Sequence, residues 1–117
     1  MISETQVEQV IEKLDSLGYL RKKRRVGDWY TVYCPFHKDG NERKPSCGIL
    51  MKGQMRAGKY TDPGLFHCFT CHHSAPLITS VDEILKIHGI DQSGADWLRE
   101  QIPGLDPDGS GSDTDDL

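Results

Sequence analysis

The strongest constraint on this chain lies in four residues arranged as two short pairs. Cys34 and His37 are separated by two residues, Cys68 and Cys71 are separated by two residues, and thirty residues lie between the pairs. Thiolate and imidazole are ligands that tetrahedral zinc favours, and two ligands at this spacing on a tight turn can be aimed at one ion. Two such turns complete a four-ligand shell with no open position for water or substrate, which is the arrangement of a structural site. The expectation is one structural zinc ion held by Cys34, His37, Cys68 and Cys71. A thioredoxin-like reading of Cys68 and Cys71 needs a strand-to-helix junction in a βαβ unit and leaves the first pair unexplained.

A metal staple suits the rest of the chain. Its 117 residues fit one domain and only 36% of them are hydrophobic, so a core of this size gains from an added crosslink. No apolar run approaches the roughly 18–20 residues that a bilayer crossing requires, and the N-terminus lacks the blocks of a signal peptide. The expected location is therefore cytoplasmic, where cysteines serve as metal ligands or small buried hydrophobes more often than as disulfides. Cys47 has no partner two residues away and reads as a buried small hydrophobe. His67 precedes a ligand in a strand and should face the other way. His72 and His73 read as solvated, with a contact to DNA or to a ligand as the sharper alternative, and His88 suits a helix C-terminus.

The formal charge of -4 conceals a segregation along the chain. Residues 19–60 hold eleven Lys or Arg against three acids, whereas residues 106–117 hold five Asp and no base. A local basic surface is enough to attract phosphates whatever the net charge.

Periodicity supplies a coarse map. Val7, Val10, Ile11, Leu14 and Leu17 recur at helical spacing and predict a helix over 5–17, started by a capping box of Ser3 with Gln6 or Thr5 with Glu8 and stopped at Gly18. Residues 19–33 read as two strands with a turn at Gly27 and Asp28, and further strands are predicted at 46–51 and 65–69 across a glycine-rich basic loop. Leu77, Ile78, Val81, Ile84, Leu85 and Ile87 predict a helix over 77–88, and a shorter one is expected at 95–101. The expected fold is α+β, a small zinc-ribbon-type antiparallel sheet flanked by helices, in one domain over 1–103. Residues 104–117 are expected to form a disordered acidic tail; a calcium loop there lacks the Glu of the twelfth position.

The series Cys34-Pro35-Phe36-His37, Lys44-Pro45-Ser46 and Phe66-His67-Cys68-Phe69-Thr70-Cys71 resembles the CHC2-type zinc-binding domain of bacterial and phage DNA primases, over roughly residues 7–89. The resemblance implies the same four zinc ligands and a zinc-ribbon sheet. Three positions depart from that pattern: Cys47 stands where the family usually has Phe, Thr70 replaces a common Gly, and Ser74 with Ala75 replaces the usual Gly after the second turn. Family members also normally continue into a polymerase domain with catalytic magnesium, and no comparable carboxylate cluster occurs here.

The function implied is a template-recognition module that binds single-stranded DNA and supports RNA primer initiation. It would act with a polymerase domain or subunit in trans, or beside a replicative helicase, in a bacterial cell, with a phage or mobile element as an alternative source of the chain. No catalytic residue is expected in this chain itself. Arg21, Lys22, Lys23, Arg24, Arg25, Lys38, Arg43, Lys44, Lys52, Arg56 and Lys59 are the candidate phosphate contacts. Trp29 and Tyr30 are candidate base-stacking residues, with Tyr33 and Tyr60 beside them. Strict strand alternation would put Lys22 and Arg24 on one face and Arg21, Lys23 and Arg25 on the other, with no means of choosing the DNA-facing set. Two rivals belong to other classes: a zinc-ribbon protein that binds a replication or transcription enzyme, its acidic tail occupying a basic groove, and an enzyme with an open zinc position.

Overall fold

The computed structural model describes residues 2–36, 44–102 and 104–105. In chain order the elements are α1 (Glu4–Ser16), β1 (Arg21–Val26), β2 (Trp29–Tyr33), β3 (Cys47–Leu50), β4 (Gln54–Arg56), β5 (Lys59–Thr61), β6 (Phe66–Cys68), β7 (Ser74–Ala75), α2 (Leu77–Ile87) and α3 (Gly94–Gln101). Strands β1, β2, β3, β6 and β7 form one antiparallel sheet in that order, and β4 with β5 forms a separate hairpin. The α+β class expected from the sequence is the class observed. No helix among the described residues is long and apolar enough to cross a membrane.

Helix α1 begins where its first residues can satisfy their own orphan donors. The Gln6 N–H donates to Ser3 Oγ at 3.2 Å and the Ser3 N–H donates to Gln6 Oε1 at 2.9 Å, so the capping box uses Ser3 and Gln6 rather than Thr5 and Glu8. Val7, Val10, Ile11 and Leu14 are fully buried, each contributing roughly 1.5–3 kcal/mol relative to exposure. Leu17, grouped with them by spacing, sits past the helix end at the C-cap and stays 42% exposed. Gly18 then takes a φ of 79°, and the chain enters the sheet.

The β1–β2 turn places Gly27 at φ 64° between the paired residues Val26 and Trp29, the glycine-first geometry that matches strand twist in a two-residue hairpin. The register then slips. Lys22 pairs with Val32 but Arg24 pairs with Thr31, so Lys23 is the extra residue of a bulge. A bulge interrupts the two-residue alternation of side chains, and this one corrects the grouping expected from sequence. Lys22 and Arg25 share the face of Val32 and Tyr30, while Arg21 and Arg24 share the face of Tyr33 and Thr31.

That division organises the molecule. On the inner face, Val32, Cys47, Ile49, Phe66 and Cys68 join the core with α1, with Leu77, Val81, Ile84 and Leu85 of α2, and with Trp97 and Leu98 of α3. Ile87, expected on the apolar stripe of α2, is 51% exposed because the helix ends there. Gly94 lets α3 approach α2 closely: a Cβ on it would lie 2.6 Å from the Ile78 carbonyl oxygen. Its N–H donates to Asp82 Oδ1 at 3.1 Å. The segment expected to be a plain glycine-rich loop contains the β4–β5 hairpin, whose turn uses positive φ at both Ala57 and Gly58. Sequence patterning missed it because each of its strands has only three residues, too few to display a period.

Candidate metal centre and sheet face

Cys34 follows the last residue of β2 and Cys68 ends β6, so neighbouring regions of one sheet carry both to the same edge of the core. In both turns a backbone N–H two residues on is aimed at the leading sulfur. The Phe36 N–H donates to Cys34 Sγ at 3.4 Å, and the Thr70 and Cys71 N–H groups donate to Cys68 Sγ, each at 3.4 Å. Backbone donors aimed at sulfur stabilise thiolate, the form that binds metal. The second turn closes with Cys68 N–H donating to the His73 carbonyl at 2.8 Å and with His72 at φ 64°.

The sulfurs of Cys34, Cys68 and Cys71 all lie within 4.8 Å of one another, and Cys34 Sγ is 3.7 Å from Cys71 Sγ. Thiolates sharing a tetrahedral ion at about 2.3 Å would sit roughly 3.8 Å apart, so this donor set fits a metal ion. The proton affinities are unequal. Burial opposes ionisation of Cys68, yet the Cys71 N–H, the Ser46 hydroxyl 3.3 Å away and the Thr70 N–H together bring its thiol down to about 7. Cys71 is pushed up to about 11, by burial first and then by the neighbouring sulfurs of Cys68 and Cys34. Cys34 is raised through its contact with Cys47 and by burial. Crowded thiols of this kind resist ionising together until a cation balances them.

Three of the four expected ligands are therefore brought together, and the fourth, His37, lies outside the described residues. Cys47 is buried in the core, next to the centre but not a member of the three-sulfur cluster. His67 pairs with Gly48 on the outer face, away from Cys68, and meets Phe69 edge-on at 4.6 Å. The solvated reading fails for His73: it is half-buried, stacks on Phe36 at 3.8 Å and has Nε2 3.2 Å from Ser80 Oγ.

The outer face of the sheet carries a different chemistry. Register assigns to it Arg21, Arg24, Trp29, Thr31, Tyr33, Gly48, Leu50, His67 and Ser74. Arg21 lies 4.1 Å over the Tyr33 ring, and Trp29 lies across Gly48, where a Cβ would stand 3.0 Å from the indole. The bases expected to act as one run are divided. On the helix side, Lys22 pairs with Glu12 at 2.6 Å and Arg25 pairs with Glu4. Tyr30 packs against the core on that same side. Lys23 is exposed at the bulge; Lys44, Lys52 and Lys59 are exposed, and Arg56 stands in β4 opposite Lys59. Lys38 and Arg43 lie outside the described residues. The face assignment required the bulge, which leaves no signature in a run of five consecutive bases.

No family model matches the chain, and no curated protein matches it.

Proposed function

We propose that this protein is a zinc-binding, single-stranded DNA recognition module of a DNA primase system, supporting RNA primer initiation with a polymerase domain or subunit supplied in trans. The observation that carries the proposal is the outer sheet face, which Arg21 and Arg24 share with Trp29 and Tyr33 on the adjacent strand and with His67 further across the sheet. Cations that follow a phosphate backbone and rings that stack bases are the two requirements of single-strand binding, and neither demands a particular sequence. Zinc is the proposed ion because three thiolates with an imidazole make a closed shell that it favours; Cys34, Cys68 and Cys71 would hold it, with His37 as the fourth ligand. Bound there, it supplies a crosslink between two distant turns rather than a reactive water.

The primase assignment within this reading rests on the sequence resemblance. The deciding experiment is primer synthesis on single-stranded template by a candidate polymerase subunit, with and without this chain, alongside direct binding of the chain to single-stranded oligonucleotides. Stimulation together with salt-sensitive binding supports the proposal, and absence of both removes it. A zinc-ribbon adaptor that binds a replication or transcription enzyme is the second reading, favoured by Phe69 on the second ligand turn, which is 68% exposed. It predicts partner capture that survives loss of DNA binding and is weakened by Phe69→Ala.

A further inference from the structure

We propose that His73 is a positioning residue of the metal centre, holding the two ligand turns together through a stack on Phe36 and a hydrogen bond to Ser80 of α2. The inference rests on the metal-centre reading above and concerns what brings the sulfurs to binding distance.

Phe36 lies within the first ligand turn, two residues after Cys34, and His73 lies two residues past Cys71, just beyond the second. Their rings lie 3.8 Å apart between centroids at an interplanar angle of 23°. Phe36 also meets Phe66 edge-on at 6.1 Å, and Phe66 lies on β6, the strand that delivers Cys68. One ring of the first turn thus contacts both flanks of the second.

The imidazole is fixed from its other side. Its Nε2 is 3.2 Å from Ser80 Oγ, and Ser80 is the one buried polar side chain among the described residues. The Ser80 hydroxyl donates to the Ala75 carbonyl at 3.3 Å, which leaves its lone pairs to accept a proton held on Nε2. Ser80 sits in the first half of α2, whose apolar face is anchored in the core by Leu77, Val81, Ile84 and Leu85. The contacts run from the first turn through Phe36, His73 and Ser80 into α2. They need no ion, so they lower the cost of bringing together ligand pairs that thirty residues separate. His73 is not among the described residues whose ligand atoms cluster within 4.8 Å, a group made of Cys34, Cys68 and Cys71 alone, which argues against it as the fourth ligand.

The test is metal affinity by competition with a chelator of known zinc affinity, with the absorption spectrum of the cobalt-substituted protein read on each variant. His73→Ala should weaken zinc binding by about 10–100-fold, the usual effect of removing a group that orients ligands. At saturating cobalt its ligand-field bands should match the parent's. His73→Phe, which restores the stack alone, should recover part of the loss, and Phe36→Leu should weaken binding from the opposite turn even if His73→Ala fails to fold. Affinity within about twofold of the parent for both His73→Ala and Phe36→Leu overturns the inference. Cobalt bands that shift in both His73→Ala and His73→Phe also overturn it, by making His73 a ligand. A parent chain that takes up neither metal removes the metal-centre reading and the inference with it, an outcome distinct from unchanged affinity.

Discussion

The bulge at Lys23 yields the sharpest functional prediction, because it assigns neighbouring cations to opposite faces. Arg21 and Arg24 belong to the outer face, whereas Lys22 and Arg25 are turned toward α1 and already paired with Glu12 and Glu4. Consider two double variants with the same change in net charge, Arg21→Gln with Arg24→Gln, and Lys22→Gln with Arg25→Gln. Each phosphate neutralised on a single strand contributes about 0.7 to the slope of log affinity against log salt. Losing two contacts should therefore flatten the slope by about 1.4. Between 50 and 200 mM salt, this slope change corresponds to a difference of about sevenfold in how far affinity falls. The helix-side pair should leave the slope unchanged, and its cost to stability should be small because exposed ion pairs contribute only about 0–1 kcal/mol. Fluorescence anisotropy with a labelled single-stranded oligonucleotide across a salt series reads all three proteins. Equal flattening by both pairs would refute the face assignment. Flattening by Lys22→Gln with Arg24→Gln matching that of Arg21→Gln with Arg24→Gln would show that the bulge does not sort these side chains in solution.

Further outcomes follow from the core and the metal centre. Gly94→Ala forces a Cβ against the Ile78 carbonyl and the Asp82 backbone, so thermal unfolding should move down by an amount equivalent to about 1–3 kcal/mol of overpacking; an unchanged Tm would refute the close α2–α3 contact. The Asp82 carboxyl is held below its ordinary 3.8 by the Gly94 N–H first and by Lys86 second. A depressed folded value means stability that is present above the unfolded pKa and lost as pH falls through the folded one, so Asp82→Asn should shrink the fall in stability below about pH 3.8. An acid-unfolding profile that keeps its full slope in Asp82→Asn would contradict this role. Cys68→Ser should abolish tight metal binding while Cys47→Ala keeps the metal stoichiometry, since Cys47 stands outside the three-sulfur cluster; metal analysis of the two purified variants decides it.

Sequence patterning located the elements that have room to show a period. Thirteen residues of α1 and eleven of α2 display their apolar faces plainly, and the paired spacing in the sequence picked out Cys34, Cys68 and Cys71, the three sulfurs that the fold brings together. Geometry that depends on a single residue stayed hidden. The Lys23 bulge and the Phe36–His73 stack arise from pairing and contacts that no local period encodes, and the Ala57–Gly58 turn joins strands of three residues, too short to show one. His73 in particular reads as surface because it neighbours a ligand turn, and it is the Phe36 ring on one side and Ser80 of α2 on the other that hold it half-buried.

The central claim is that two distant turns are closed by one metal ion. Metal analysis of the purified chain combined with X-ray absorption at the zinc edge tests it most directly. The account predicts one zinc per chain, with three sulfur ligands at about 2.3 Å and one nitrogen at about 2.0–2.1 Å, and loss of the folded sheet on chelation. A chain that is metal-free as purified and stays folded, or a bound ion with fewer than three sulfurs, would contradict it.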